Sequence, residues 1–170
     1  MIPKRIHYCW FSGEPFPSEI QDCIDSWYRV MPDYELVLWN YDRIRNIHSL
    51  WLQECLKECK WAFASDYIRV YALYHFGGIY LDTDVKVYHS FDPFLADGMF
   101  IGREGVLQVN YYGGVRNYLT SHCFGAEAGH SFLQLTLDYY NNRHFVTGSP
   151  SCFSDEFRYD MKVMPYIQSR

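Results

Sequence analysis

The chain has 170 residues, 49% hydrophobic and 19% aromatic, which is enough for one domain with a substantial core and excludes a multidomain organisation or intrinsic disorder. Its 15 Lys and Arg against 20 Asp and Glu leave a net charge of −5 with no basic block, so nucleic acid is not an expected partner. No stretch approaches the ~20 apolar residues of a membrane span and the N-terminus carries no apolar signal region, so the expectation is a cytoplasmic chain without a transmembrane segment.

In chain order, Lys4 to Trp10 alternates Ile6, Tyr8 and Trp10 against Arg5, His7 and Cys9, which predicts a strand. Phe11 to Pro17 reads as a loop. A helix follows, with Ser18 and Gln21 as a capping box, Ile20, Cys23, Ile24, Trp27 and Val30 as one apolar stripe, and Pro32 as its end. Tyr34 to Asn40 predicts a second strand, parallel to the first through a right-handed crossover. Residues 49–59 and 62–76 read as two helices, the second stopped by Gly77 and Gly78. Ile79 to Val87 alternates as a strand with Tyr80, Asp82, Asp84 and Lys86 on one face. Strands are predicted at Met99 to Arg103 and Leu119 to Ala126, and a helix at Ser131 to Tyr140; nothing is assigned after Arg143. The sum is an α/β fold of Rossmann-like topology in a single domain.

The 16 Tyr read as core filling in preference to an aromatic pocket. Cys9, Cys23, Cys55, Cys59, Cys123 and Cys152 are scattered, with only Cys55 and Cys59 at helical spacing, so buried, reduced thiols are expected and a thiolate metal site is not. The seven histidines form no ligand pair and read as structural.

The chemistry gathers around Asp82 and Asp84. On a regular strand their side chains stand about 7 Å apart and repel by about 2 kcal/mol at an effective dielectric near 20, a penalty that a hard divalent cation reverses. Carboxylate oxygens suit Mg2+ or Mn2+. Upstream, Asp66 and Arg69 share a face of a helix that is apolar nearly all round, and charges in such a setting have a partner or a task. Arg can fork onto phosphate or sugar oxygens, and Asp can accept from sugar hydroxyls. Trp10 ends the first strand, at the edge where open α/β sheets bind ligands, as a base-stacking ring or a core one. No Walker, dinucleotide or Gly-x-Ser-x-Gly motif appears.

IPKRIHYCWFSG near the N-terminus, WAFASDYIRVYALYHFGGIYLDTDV in the middle and FGAEAGHSF at Phe124 to Phe132 resemble the DXD-type glycosyltransferases with a sugar-binding region, glycosyltransferase family 32, which includes capsular polysaccharide and lipopolysaccharide sugar transferases. The resemblance runs from residue 2 to about residue 140 and rests on S-D-x-x-R, seven residues, G-G-x-Y-x-D-x-D. It implies a GT-A type mixed sheet flanked by helices, a nucleotide-sugar donor such as a UDP-sugar, Mn2+ or Mg2+, and transfer with retention of anomeric configuration to a glycan or lipid-linked glycan acceptor. The setting would be the cytoplasm, with peripheral association at the inner face of the membrane. By motif position Trp10 would stack on the base, and Asp66 and Arg69 would hold sugar hydroxyls. Asp82 would contact ribose and metal, Asp84 would bind metal beside the diphosphate, and Ser65 and Tyr80 would lie near the ribose.

Two features depart from the family pattern. Asn110 to His122 differs before the FGAE-like motif, and the C-terminal segment with His and Ser-Trp is expected to be missing from residues 1–170. Two other readings stand beside the transferase. One is a non-catalytic sugar- or nucleotide-binding module. The other is a haloacid dehalogenase-type phosphatase, since Leu81 to Val85 also fits that family's D-x-D-x-[TV] motif.

Overall fold

The computed structural model describes residues 1–103, 108–109, 115–116, 119–141 and 143–145. Along the chain the elements are β1 (Arg5–Cys9), α1 (Ser18–Val30), β2 (Glu35–Trp39), α2 (Tyr41–Ile44), α3 (Leu50–Lys57), α4 (Trp61–Phe76), β3 (Gly78–Leu81), a 3-10 turn at Asp92–Phe94, β4 (Met99–Arg103), β5 (Gln108–Val109), β6 (Val115–Arg116), β7 (Leu119–Ala126) and α5 (Ser131–Asn141). Five strands form one mixed sheet in the order β2-β1-β3-β7-β4, and β5 pairs with β6 separately. β1 runs parallel to β2, with Arg5 opposite Glu35 and Cys9 opposite Trp39, and parallel to β3, with Ile6 opposite Ile79. β7 is antiparallel to both β3 and β4.

Alternation along β1 sorts two cores. Ile6 and Tyr8 face α1, where Ile24, Trp27 and Met31 join Ile79 and Leu81. His7 lies on the other face, where Trp39, Tyr80 and Phe124 pack under α3, α4 and α5. Of the stripe predicted for α1, Ile24 and Trp27 are buried and Ile20, Cys23 and Val30 partly so, while Ser26, outside that stripe, is buried as well. α4 buries Ala64, Ser65, Tyr67, Ile68, Arg69, Val70, Ala72 and Leu73, because it is covered by the sheet on one side and by α3 and α5 on the other. Tyr8, Tyr34, Tyr67, Tyr80, Tyr139 and Tyr140 are buried, as core filling requires.

His7 is the polar centre of the α4 face. Trp39 Nε1 donates to His7 Nδ1 at 3.0 Å, which leaves the proton on Nε2 to be donated to the Gly77 carbonyl at 2.9 Å. Burial lowers its pKa to about 4, so the ring is neutral. Gly78 sits at φ 118°, and a Cβ there would stand 2.7 Å from the Arg5 carbonyl oxygen. The close approach of β3 to β1 therefore needs glycine at this position.

Three local expectations change. The strand predicted over residues 79–87 stops at Leu81, because Val85 N–H donates to the Asp82 carbonyl at 3.0 Å and closes a turn around Thr83 and Asp84. Asp favours such turns over continued pairing. The 7 Å spacing estimated for a regular strand therefore does not apply to Asp82 and Asp84. Ser18 is also no N-cap. Pro17 holds that place, the Ser18 hydroxyl donates to Glu19, and Gln21 Nε2 reaches Asp25 instead of closing a box. Among the cysteines, Cys55 is buried as expected, whereas Cys59 is exposed at φ 53° just beyond α3. All five described cysteines are free thiols, and Cys152 lies outside the described residues.

Candidate active site

β1 and β3 run parallel and end at Cys9 and Leu81, so the residues that follow them emerge at the same edge of the sheet. A cavity of about 410 Å³ opens there, within the range of small-molecule sites. Cys9, Trp10, Phe11 and Ser12 line it from β1, with Ile20 from α1. Trp61, Ala62, Ser65 and Arg69 come from α4, and Tyr80, Asp82, Thr83 and Asp84 from the end of β3. Of the seven residues singled out in the sequence, six line this cavity. Asp66 is joined to it through Arg69.

Arg69 organises the floor. Its Nε donates to the Ser65 carbonyl at 3.2 Å, and Nη1 donates to the carbonyl and hydroxyl of Ser121 at 2.9 and 2.7 Å. Nη2 donates to the Ser65 hydroxyl at 3.2 Å and lies 3.2 Å from Asp66 Oδ1 and 3.3 Å from Asp82 Oδ1. A guanidinium has about five N–H groups, and here every one faces a protein oxygen. Burial works against the charge, but Tyr80 together with the Asp66 and Asp82 carboxylates outweighs it and the guanidinium's pKa is raised. The aromatic face of Tyr80 lies 4.8 Å from the guanidinium carbon.

Tyr80 is buried in the core, and burial pushes its phenol well above the ordinary value. It stays neutral and donates to Asp82 Oδ1 at 2.9 Å. Asp82 is thus held through Oδ1 by two groups, while its Oδ2 has no partner among the described residues. The exposed Asp84 carboxylate has none either. Burial also pushes the Cys9 thiol up to about 12, so it contributes a neutral S–H to the wall.

Trp10 belongs to neither hydrophobic core. It is half-buried, donates its indole N–H to the Glu14 carbonyl at 2.7 Å and packs on Phe16 at 5.0 Å between centroids. Its ring is fixed against its own loop while lining the cavity.

The donor set suits a hard divalent cation. Asp82 and Asp84 stand on one turn, and Asp82 Oδ2 and the Asp84 carboxylate meet no partner among the described residues. No group of three or more His, Cys, Asp or Glu that could hold a metal occurs among the described residues. The Asp82 and Asp84 pair on its own matches what Mg2+ or Mn2+ commonly takes from a protein, one or two carboxylates with the remaining positions filled by water and phosphate.

Sequence spacing did not single out Ser121, which accepts two of the Arg69 bonds from a strand 52 residues away. It also passed over Trp61 and Ile20, which line the cavity from helices whose apolar pattern reads only as core. No helix among the described residues is long and apolar enough to cross a membrane.

Known proteins resemble this chain in sequence and in fold. Residues 17–101 match the family model described as glycosyltransferase sugar-binding region containing DXD motif. The chain is 30% identical over 139 residues to inositol phosphoceramide mannosyltransferase 3 of Schizosaccharomyces pombe, covering 78% of this chain and 35% of that protein. It is 31% identical over 130 residues to an uncharacterized glycosyltransferase, L373, of Acanthamoeba polyphaga mimivirus, covering 72% of this chain and 52% of that one. The chain therefore spans about a third to a half of the length of these relatives. Its fold is that of the solved PaToxG glycosyltransferase, with a TM-score of 0.64 at 17% identity over 99% of this chain and 75% of the other, so the GT-A type expectation holds. The phosphatase reading gives way to these matches, and the chain belongs to the family of glycosyltransferases whose sugar-binding region contains the DXD motif.

Proposed function

We propose that this domain transfers a hexose from a nucleotide-sugar donor to a glycan or lipid-linked glycan acceptor, with retention of anomeric configuration, in the synthesis of a cell-surface polysaccharide or glycolipid. The observation that carries the reading is the Asp82-Thr83-Asp84 turn, which presents open carboxylate oxygens to a cavity that Trp10 also lines. Mannose is the favoured sugar, since relatives of this chain are mannosyltransferases by name. A UDP- or GDP-sugar would fill the cavity, and the whole assembly would work at the cytoplasmic face of a membrane.

Asp82 and Asp84 would hold Mn2+ or Mg2+. When bound, the ion supplies charge neutralisation for the departing nucleoside diphosphate. Trp10 offers an immobilised ring for the base, and stacking tolerates more than one base because every base has a π face. Asp66, joined to the cavity through Arg69, would accept sugar hydroxyls in an orientation that the guanidinium fixes. Arg69 has its donors satisfied by the protein, so it acts chiefly by bridging Asp66 and Asp82 and fixing their positions. Ser65 braces that guanidinium, and Tyr80 holds Asp82 from below. Side chains that are already bonded in place need little reorganisation as charge develops, which is the main source of electrostatic stabilisation in such sites. We assign no enzymatic nucleophile.

A panel of UDP- and GDP-hexoses, including both mannose forms, incubated with the protein and Mn2+ tests the proposal. Release of nucleoside diphosphate from at least one donor is expected, slow without acceptor and faster with a glycan or lipid-linked glycan. Tight donor binding with no turnover under any acceptor would identify a binding module instead.

A further inference from the structure

Asp82 and Asp84 are placed by different means. The Asp82 carboxylate is fixed through its side chain, by Tyr80 and Arg69. The Asp84 carboxylate has no side-chain partner among the described residues, so its direction follows from the main chain that carries it. That main chain has left the sheet: the last ladder pair on this side is Leu81 with Cys123, and Asp82 N–H makes one more bond, to the His122 carbonyl at 2.9 Å. Beyond it the segment's own hold is the single turn bond from Val85 N–H to the Asp82 carbonyl.

One face of α1 takes over where the sheet stops. The Cys23 thiol donates to the Asp84 carbonyl at 3.4 Å, and the Trp27 indole N–H donates to the Val85 carbonyl at 2.7 Å. The Ser26 hydroxyl accepts from Val87 N–H at 2.9 Å and donates to the Cys23 carbonyl at 2.5 Å. Ser26 and Trp27 are both fully buried, and the Trp27 ring is held edge-on by Tyr8 at 5.4 Å. Three neighbouring helix residues thus grip three backbone positions of the segment that follows the strand. Ile20, on the same helix, lines the cavity itself.

We infer that Cys23, Ser26 and Trp27 are positioning residues that fix the main chain of the Asp84 to Val87 segment and so aim the unpartnered Asp84 carboxylate toward a bound divalent cation. The inference rests on the reading of Asp82 and Asp84 as the metal-binding pair. Residues that orient a ligating group through hydrogen bonds commonly change metal affinity by about 10- to 100-fold when removed. A buried Ser and an indole on an amphipathic stripe look like core packing in the sequence, and only the contacts reveal where their polar atoms point.

The test measures Mn2+ alone binding to the full chain, by the loss of the free-ion electron paramagnetic resonance signal, together with a thermal melt of each variant. Ser26→Ala removes one hydroxyl and keeps a good helix former. Trp27→Phe removes the N–H and keeps an aromatic ring. Trp51→Phe is the control: it removes a buried indole bond, to the Phe63 carbonyl, in the other core. The expected result is Mn2+ affinity weakened by about tenfold in the two α1 variants, retained in Trp51→Phe, and restored toward wild type in Ser26→Thr, which keeps the hydroxyl. If both α1 variants melt lower but bind Mn2+ as tightly as wild type, the contacts are structural only and the inference is overturned. If the wild-type chain itself binds no Mn2+ and Asp84→Ala changes nothing, the metal reading fails and the inference falls with it.

Discussion

The Tyr80 hydroxyl donates to Asp82 Oδ1 at 2.9 Å from a ring that is buried in the core beneath the cavity. A residue of the folding core and a residue of the candidate site are therefore one unit. Tyr80→Phe keeps the packing and removes this bond, and hydrogen bonds to charged groups contribute about 1.5 to 3 kcal/mol. The variant should melt lower than wild type and lose about tenfold in metal-dependent turnover. Melting curves and kcat/KM on the same preparation check both, and an unchanged kcat/KM would show that Asp82 needs no support from below.

Arg69 carries the largest stability prediction. It is buried and bonded to Ser65, Ser121, Asp66 and Asp82, so Arg69→Met strands acceptors and at least one carboxylate away from their donor. Breaking a buried pair from one side costs roughly 3 to 5 kcal/mol. Urea denaturation should report a loss of that order, and Arg69→Lys should recover only part of it because an ammonium lacks the guanidinium's fork. A variant as stable as wild type would mean the guanidinium contacts contribute nothing net.

Trp10→Ala should weaken donor binding by the ~1 to 3 kcal/mol that base stacking supplies, about 5- to 150-fold. Stability should change little, because Trp10 lies outside both cores. Trp51→Ala, from a ring that is 1% exposed, should instead cost about 3 to 5 kcal/mol of folding free energy. Calorimetric affinity and melting temperature separate the two. A collapsed melt for Trp10→Ala would move that ring into the core.

Most of the architecture could be read from periodicity. α1, α3, α4, α5, β1, β2, β4 and β7 lie within a few residues of their predicted spans. The short α2 and the 3-10 turn at Asp92–Phe94 were not foreseen, since each is too brief to show a period. β3 was read too long for a different reason: Asp82, Thr83 and Asp84 continue the alternation while the backbone turns. Trp10, Ser65, Arg69, Tyr80, Asp82 and Asp84, each singled out in the sequence, line one cavity. What the sequence could not show was the wiring: the Ser121 acceptor on a distant strand, the complete engagement of Arg69, and the polar atoms of Ser26 and Trp27, which hide in an apolar stripe.

His7 gives the fold a pH dependence. Burial lowers its folded pKa to about 4 from the ordinary histidine value of 6.5, so between those values the unfolded chain binds more protons. Its contribution is fully present above pH 6.5 and is lost as pH falls through that window to about 4, amounting to about 3 kcal/mol. Protonation would set a second N–H against the Trp39 indole N–H. Denaturant unfolding at pH 7 and pH 4.5 should show this loss in wild type and a smaller one in His7→Gln, and equal pH dependence in the two would remove His7 from the account.

The central claim is that the Asp82-Thr83-Asp84 turn binds a nucleotide sugar through a divalent cation. It is tested most directly by calorimetric titration of wild type and Asp84→Ala with UDP- and GDP-hexoses, with and without Mn2+. Wild type should bind at least one donor in a Mn2+-dependent manner. Asp84→Ala, at an exposed position with no side-chain partner among the described residues, should melt like wild type while losing that dependence, with turnover down by about 10² to 10⁴. Donor binding by Asp84→Ala that matches wild type and still requires Mn2+ would contradict the claim.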